Sequence, residues 1–161
     1  MADQISLPYS FPPIALLAPA ADAAGRTSAY RSLANALKAY VIVHVNQGNA
    51  ATVALSLTQA QDTSGTNAKA ISTAMPIFYQ ANTATSDVNV AQTAASSFTT
   101  DAGTNDKIVI FELLPEAVLD VANGFKTIAV TTGASNAANI TEAELIVIRS
   151  VQGANAPSTY S

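Results

Sequence analysis

The sequence predicts an all-β fold, a β-sandwich or jelly-roll-like domain of about eight short strands with an extended N-terminal arm. Three observations carry this expectation. From Arg26 onward apolar residues recur with a period of two, the signature of strands with alternating faces. Clusters of Gly, Asn and Asp separate these runs. Scarcely any stretch has helical character, so the pattern fits a sandwich or a barrel-like roll.

The elements follow in order. Residues 1–25 are rich in Ala and Pro, and Pro8, Pro12, Pro13 and Pro19 block a continuous helix there. The apolar members Ile5, Leu7, Tyr9, Phe11, Ile14, Leu16 and Leu17 are too hydrophobic for a free linker. The segment is either an arm lying on a surface, its own or a neighbour's, or a first edge strand of the same sandwich. The sandwich domain is expected over 26–161.

Within Lys38–Val45, Val41, Val43 and Val45 share one face, and Tyr40, Ile42 and His44 share the other. Apolar residues on both faces suggest a strand covered on both sides, as an internal or interface strand is. Gln47-Gly48-Asn49 supplies a turn, and Thr52–Gln59 alternates with Val53, Leu55 and Leu57 inward. The two runs read as a hairpin. Asp62–Asn67 is a loop, and Lys69–Tyr79 is an apolar run broken at Pro76, which suits an edge or a bulge. A short strand around Val88–Val90 and one anchored by Phe98 come next.

Lys107–Leu113 places Val109, Phe111 and Leu113 on one face and Ile108 and Ile110 on the other. A single helical turn begins after Pro115. Asn123-Gly124 then turns the chain into Phe125–Thr132, with Ile128 and Val130 inward. The last strand, Glu142–Val151, sets Ala143, Leu145, Val147 and Val151 against Glu142, Glu144, Ile146 and Ile148. Arg149 falls on the first of these faces and is expected where it meets water.

Composition bounds the function. The chain has 161 residues, about one domain, which suffices to bury roughly two-thirds of the surface its unfolded form exposes. Only 11% of residues are charged, against roughly 25% in an ordinary soluble domain. Hydrophobic residues make up 49%, and mean hydropathy is +0.26. A neutral surface loses little on leaving water, because uncharged side chains cost far less to desolvate than ions. Such a chain is expected to live pressed against copies of itself or a larger scaffold.

There is no Cys, which excludes disulfides and thiolate chemistry. The seven Lys and Arg residues are scattered with no adjacent pair, and the net charge is −4, so no nucleic-acid partner is expected. The apolar run at 14–18 is far short of the ~20 residues of a spanning helix. No basic residue precedes Arg26 and Asp3 sits in the leader, so neither a membrane segment nor an export signal is expected.

No reaction announces itself, and no catalytic, cofactor or metal residues are expected. His44 is the sole histidine, placed in an apolar strand with no Cys and no nucleophile-elbow motif. A backbone or interface partner suits it better than catalysis. Glu112, Glu116 and Asp120 form one loose carboxylate group, and Glu142 and Glu144 another. Paired carboxylates serve glycosidases, but that chemistry also needs an aromatic cleft, and the chain has no Trp. The oxygen-rich loops 62–67 and 101–106 lack EF-hand spacing. In a surface this poor in charge, Arg31 is expected to fix the register between neighbours.

The chain resembles a family of small virion structural proteins of tailed bacteriophages. The similar stretches are Ala39-Tyr40-Val41-Ile42-Val43-His44-Val45-Asn46, Val53-Ala54-Leu55-Ser56-Leu57-Thr58-Gln59-Ala60, Asp62–Ala70 and Leu119-Asp120-Val121-Ala122-Asn123-Gly124-Phe125. Together they span about residues 28–150, and the likeness is one of pattern and order. The resemblance implies a decoration or cement protein on the outside of an icosahedral head, made in the host cytoplasm and clamping junctions between major capsid protein subunits. It implies no catalytic residues and no cofactor. The expected partners are the major capsid protein and further copies of the chain, a trimer being one arrangement. The partner-binding residues expected in the arm are Leu7, Tyr9, Phe11, Ile14 and Leu16. The rival expectation is a tail, neck or fibre-associated module that binds host glycans through exposed aromatics such as Tyr79 and Tyr160.

Overall fold

The computed structural model describes residues 7–149 and 157–161. Ile5 and Val151, named above among the apolar positions, lie outside the described residues. A four-residue helix, α1 (Leu7–Ser10), leads into β1 (Ile14–Ala21), β2 (Arg26–Thr27), β3 (Arg31–Ser32), β4 (Ala36–Gln47) and β5 (Ala54–Ala60). Then come β6 (Lys69–Ala70), β7 (Ile77–Gln80), β8 (Val90–Ala91), β9 (Ser97–Thr99) and β10 (Asp106–Leu113). The helical turn α2 (Pro115–Val118) and a 3-10 turn over Val121–Asn123 precede β11 (Thr127–Thr132) and β12 (Asn139–Arg149).

These strands form two six-stranded antiparallel sheets. The first has the order β1-β12-β4-β10-β7-β8, and the second β2-β11-β5-β6 with β3 added on β11 and β9 on β5. The all-β sandwich expected from the pattern is what the chain forms. The strand count exceeds eight because β2, β3, β6 and β8 have two residues each, too few to show any period.

The core lies between the sheets. From the first sheet it receives Val41, Val43, Val109, Phe111, Leu113 and Leu145, and from the second Leu55, Leu57, Ile128 and Val130, all at most 1% exposed. These are the positions that alternation assigned inward, and their burial supplies the main stabilisation at about 25 cal/mol per Å².

Three expectations are corrected. Lys38–Val45 and Thr52–Gln59 are not a hairpin. β4 pairs with β12 and β10 in the first sheet, whereas β5 pairs with β11, β6 and β9 in the second. The intervening loop is a corner between sheets, pinned from β12: the Asn139 side chain donates to Ala51 O at 2.7 Å and accepts from Asn49 N–H at 2.8 Å. Lys69–Tyr79 is likewise not one strand, since β6 lies in the second sheet and β7 in the first. Finally, Arg149 does not meet water. It is 7% exposed, its guanidinium donates to Ser32 O at 3.1 Å and Ala34 O at 3.3 Å, and burial lowers its pKa.

Of the two readings of the N-terminal segment, the edge strand holds for Ile14–Ala21, which pairs with β12. The sandwich therefore begins upstream of the 25/26 boundary that composition suggested. Register shifts between Ala15 and Leu17 and between Leu17 and Ala20 bend β1, so adjacent Leu16 and Leu17 are both buried. An edge strand also tolerates Pro19, which has no N–H to offer. Leu16 is thus a core residue. Leu16→Ala is expected to destabilise the free chain by about 2–3 kcal/mol, measured by urea denaturation. A residue serving only as a partner-gripping arm would show no loss.

After β1 the chain crosses to the second sheet through a turn closed by Gly25 N–H to Asp22 O at 3.3 Å. Gly25 has φ +70°, and a Cβ there would stand 2.7 Å from Thr132 O, so this turn requires glycine.

Candidate interaction surface

Every strand of a two-layer sandwich also has an outward face, and alternation fixes what it shows. On the second sheet that face is small and neutral: Ala54, Ser56 and Thr58 of β5, Ser97 and Thr99 of β9, Thr131 of β11 and Thr27 of β2. Its hydroxyls are tied by Tyr30 Oη to Thr58 Oγ1 and by Thr27 Oγ1 with Thr131 Oγ1, each 3.2 Å.

The first sheet differs. Its outer face carries Tyr40 and Ile42 from β4, Ile108 and Ile110 from β10, Ile146 and Ile148 from β12 and Phe78 from β7, all partly exposed. The register lines them into rungs: Phe78, Ile110, Ile42 and Glu144 form one, and Glu112, Tyr40 and Ile146 the next. A one-sided sheet normally reads hydrophobic in and polar out. Here β4, β10 and β12 are apolar on both sides, and the apolar side chains of their outer faces remain partly exposed.

One ion pair is made within this face. Lys38 Nζ lies 2.7 Å from Glu112 Oε1 and 5.3 Å from the Tyr40 ring centroid. The hydrogen bond that Lys38 donates to Glu112, then that with Tyr40, raises the Lys38 pKa. His44 sits across from Ile108 and Glu142, and its Nδ1 is 3.8 Å from Glu142 Oε1, too long for a hydrogen bond. With Pro19, Asn46, Thr83 and Ile140, these two line a cavity of about 350 Å³ at one end of the face. At the opposite end Leu37 (61% exposed) and Leu114 (55%) line a common hollow with Ala36, Glu116 and Ala117.

The residues assigned to an arm are dispersed. Leu7 opens α1, and its side chain lies outside the description. Tyr9 is 68% exposed, Phe11 is half-buried, Ile14 packs partly against the core, and Leu16 belongs to that core. Tyr9 and Ile14 meet Val147, Arg149 and Tyr160 around a cavity of about 370 Å³. Arg31 reaches the same region: its guanidinium carbon stands 4.2 Å above the Tyr160 ring. Its Nε is buried without a hydrogen-bond partner among the described residues. The chain end was invisible as a neighbour of β3, yet Ser32 N–H donates to Thr159 O at 2.8 Å and so holds Tyr160 in place.

Three further carboxylates, Asp62, Asp101 and Asp120, are occupied structurally. Asp62 closes its own loop, accepting from the Ser64 and Thr66 amides and, at 2.6 Å, from the Thr66 hydroxyl. Asp120 takes Lys69 at 2.6 Å and Asn123 at 2.9 Å. Asp101 accepts from Lys107 Nζ at 2.6 Å, from Tyr79 Oη at 2.7 Å and from Gly103 N–H at 2.7 Å. Lys107 is 1% exposed, so this carboxylate neutralises a buried ammonium. Tyr79, one of the aromatics considered for glycan contact, is thereby committed, and burial followed by the Asp101 hydrogen bond raises its pKa.

Hydrogen bonds hold three carboxyl groups below the ordinary carboxylate range: Asp62 through Thr66, Asp101 through Lys107, and Asp120 through Lys69. A lowered folded-state pKa contributes stability that is present above the unfolded pKa of about 4 and lost as pH falls through the folded value. Thermal midpoints are therefore expected to be level from pH 7 to about 5 and to fall below about 4. Asp101→Asn should flatten part of that acid limb.

Among the described residues no group of three or more His, Cys, Asp or Glu is arranged to hold a metal ion, and no helix is long and apolar enough to cross a membrane. No protein-family model matches the chain, and no curated protein or solved structure matches it.

Proposed function

We propose that this chain is a structural protein of a virus particle, most specifically a decoration or cement protein on the outer surface of a tailed-phage head. In this reading it works by binding, with the major capsid protein and further copies of itself as partners, and stabilises contacts between capsid subunits. The observation that carries the reading is the character of the two broad faces: one rich in isoleucine, the other made of Ser, Thr and Ala. Neither has the charged coat that keeps solitary domains apart. Apolar patches beyond a few hundred Å² mark interaction sites, and repeated attachment to a lattice multiplies modest contacts. The likeness to small virion proteins adds to this.

Immunogold labelling of purified particles with antibody against the chain tests the reading. Label spread evenly over heads is the expected result. Label confined to tails or necks, or absent from particles, overturns the head assignment.

One observation favours the rival glycan-binding reading: exposed Tyr9 and Tyr160 frame the cavity beside Arg149. A glycan array probed with the purified chain and with a Tyr160→Ala variant decides it, since that reading requires binding that the substitution removes.

A further inference from the structure

We propose that the outer face of the first sheet is a self-complementary surface on which a second copy of the chain packs, sheet against sheet, about a two-fold axis parallel to the strands. This deepens the reading above and rests on it only for the idea that assembly is the chain's role. The axis would lie over the boundary between β4 and β10, the centre of the six-strand order.

Area supports a second copy. At ~3.3 Å per residue and ~4.8 Å between strands, the six strands present about 700 Å² of projected surface. A standard stable interface takes about 800 Å² from each partner. Regularity supports it too. β10 and β4 pair without interruption from Asp106–Asn46 to Leu113–Ala39, so the centre of the face lacks bulges that would hold an opposing sheet away. Aligned sheets pack about 10 Å apart when their facing side chains interdigitate.

Charge placement selects this axis. It sets β4 of one copy over β10 of the other, so Ile42 meets Ile110 of the partner subunit, and Tyr40 with Lys38 approaches the partner's Glu112. It also sets β12 over β7 of the second copy, which brings Glu144 over Phe78 rather than over another carboxylate. The two β12 strands then stand three strand spacings apart across the sheet, about 14 Å, and about 10 Å apart in height. Glu142 and Glu144 of the two copies are thus separated by more than the Debye length of ~8 Å at physiological salt. An axis across the strands would instead stack β12 on β12 and oppose the acidic pairs. The unit that results is a dimer, which differs from the trimer considered from sequence.

The test is sedimentation velocity and light scattering of the purified full chain, alone and as Ile42→Lys, Ile110→Lys and the milder Ile42→Thr/Ile110→Thr, with Thr131→Lys on the second sheet as control. The expected result is a wild-type species of twice the 16.5 kDa chain mass. Each first-sheet variant should shift to the monomer, or dissociate at least tenfold more readily, with circular dichroism unchanged. The control should stay dimeric. A wild-type monomer at tens of micromolar overturns the proposal, as does a dimer indifferent to all first-sheet variants or one broken by Thr131→Lys. Failure here is separable from failure of the virion reading: heads that carry label while the free chain is monomeric would give this face to the capsid, and a dimer missing from particles would leave self-association standing alone.

Discussion

Asp22→Ala is expected to destabilise the fold by about 3–5 kcal/mol, the range for breaking a buried ion pair by removing one partner. The Asp22 side chain is fully buried. Its Oδ1 accepts from Arg26 Nε at 3.2 Å and from the Thr132 hydroxyl at 2.9 Å, and its Oδ2 accepts from the Thr141 hydroxyl. Thr132 belongs to the second sheet and Thr141 to the first, so one carboxylate joins both layers where the chain crosses between them. Main-chain bonds add to the junction: Asp22 N–H donates to Asn139 O at 3.0 Å, and Ser135 N–H donates to Asp22 O at 2.8 Å. Alanine would leave two buried hydroxyls and the Arg26 Nε–H without their acceptor, while the other guanidinium nitrogens keep the carbonyls of Ala18, Ala20 and Thr141. Asp22→Asn, which keeps one acceptor and the shape, should recover part of the loss. Urea denaturation checks both, and a loss below about 1 kcal/mol, the level of an ordinary hydrogen bond, would show that the junction is held by something else.

The second large effect separates neighbours on one strand. Phe111→Ala should cost about 3–5 kcal/mol of folding stability, because the ring is fully buried among the core strands and leaves a cavity. Ile110→Ala, one residue earlier, should cost the monomer under about 1.5 kcal/mol, since its side chain stands on the open outer face. Its effect should fall instead on association. Denaturation of the two variants at low and high protein concentration distinguishes them: only the Ile110 variant should lose the concentration dependence of its midpoint. Equal losses at all concentrations would mean that position 110 is an ordinary core site.

The alternation that assigns Phe111 inward and Ile110 outward is legible in the residues, and so are the turns and the helical turn after Pro115. The double-sided apolarity of β4 is legible as well, and it suggests a strand covered on both sides, internal or at an interface. Partners were not readable. Gln47-Gly48-Asn49 has the chemistry of a hairpin turn, but the strands it joins go to different sheets, because Asn139, 88 residues beyond Ala51, holds the loop. Arg149 looked like the end of an apolar face, yet its guanidinium is satisfied by Ser32 O, 117 residues away. Asp22 gave no local sign of burial, since its hydroxyl partners are 110 and 119 residues distant. Buried polar groups are chosen by the fold's long-range juxtapositions, which a period-two pattern does not encode. The choice between arm and edge strand for the N-terminal segment is hidden for a related reason: the bulges that turn Leu16 and Leu17 inward together erase the alternation that marks a strand.

Thiol accessibility on the isoleucine face measures most directly whether that face is covered. The chain has no cysteine, so Ile110→Cys introduces a single reporter there, and Thr131→Cys introduces one on the opposite face. Maleimide labelling at position 110 should be slow at high protein concentration and accelerate on dilution, while position 131 labels quickly throughout. Equally rapid labelling at both positions at every concentration would contradict a covered first sheet.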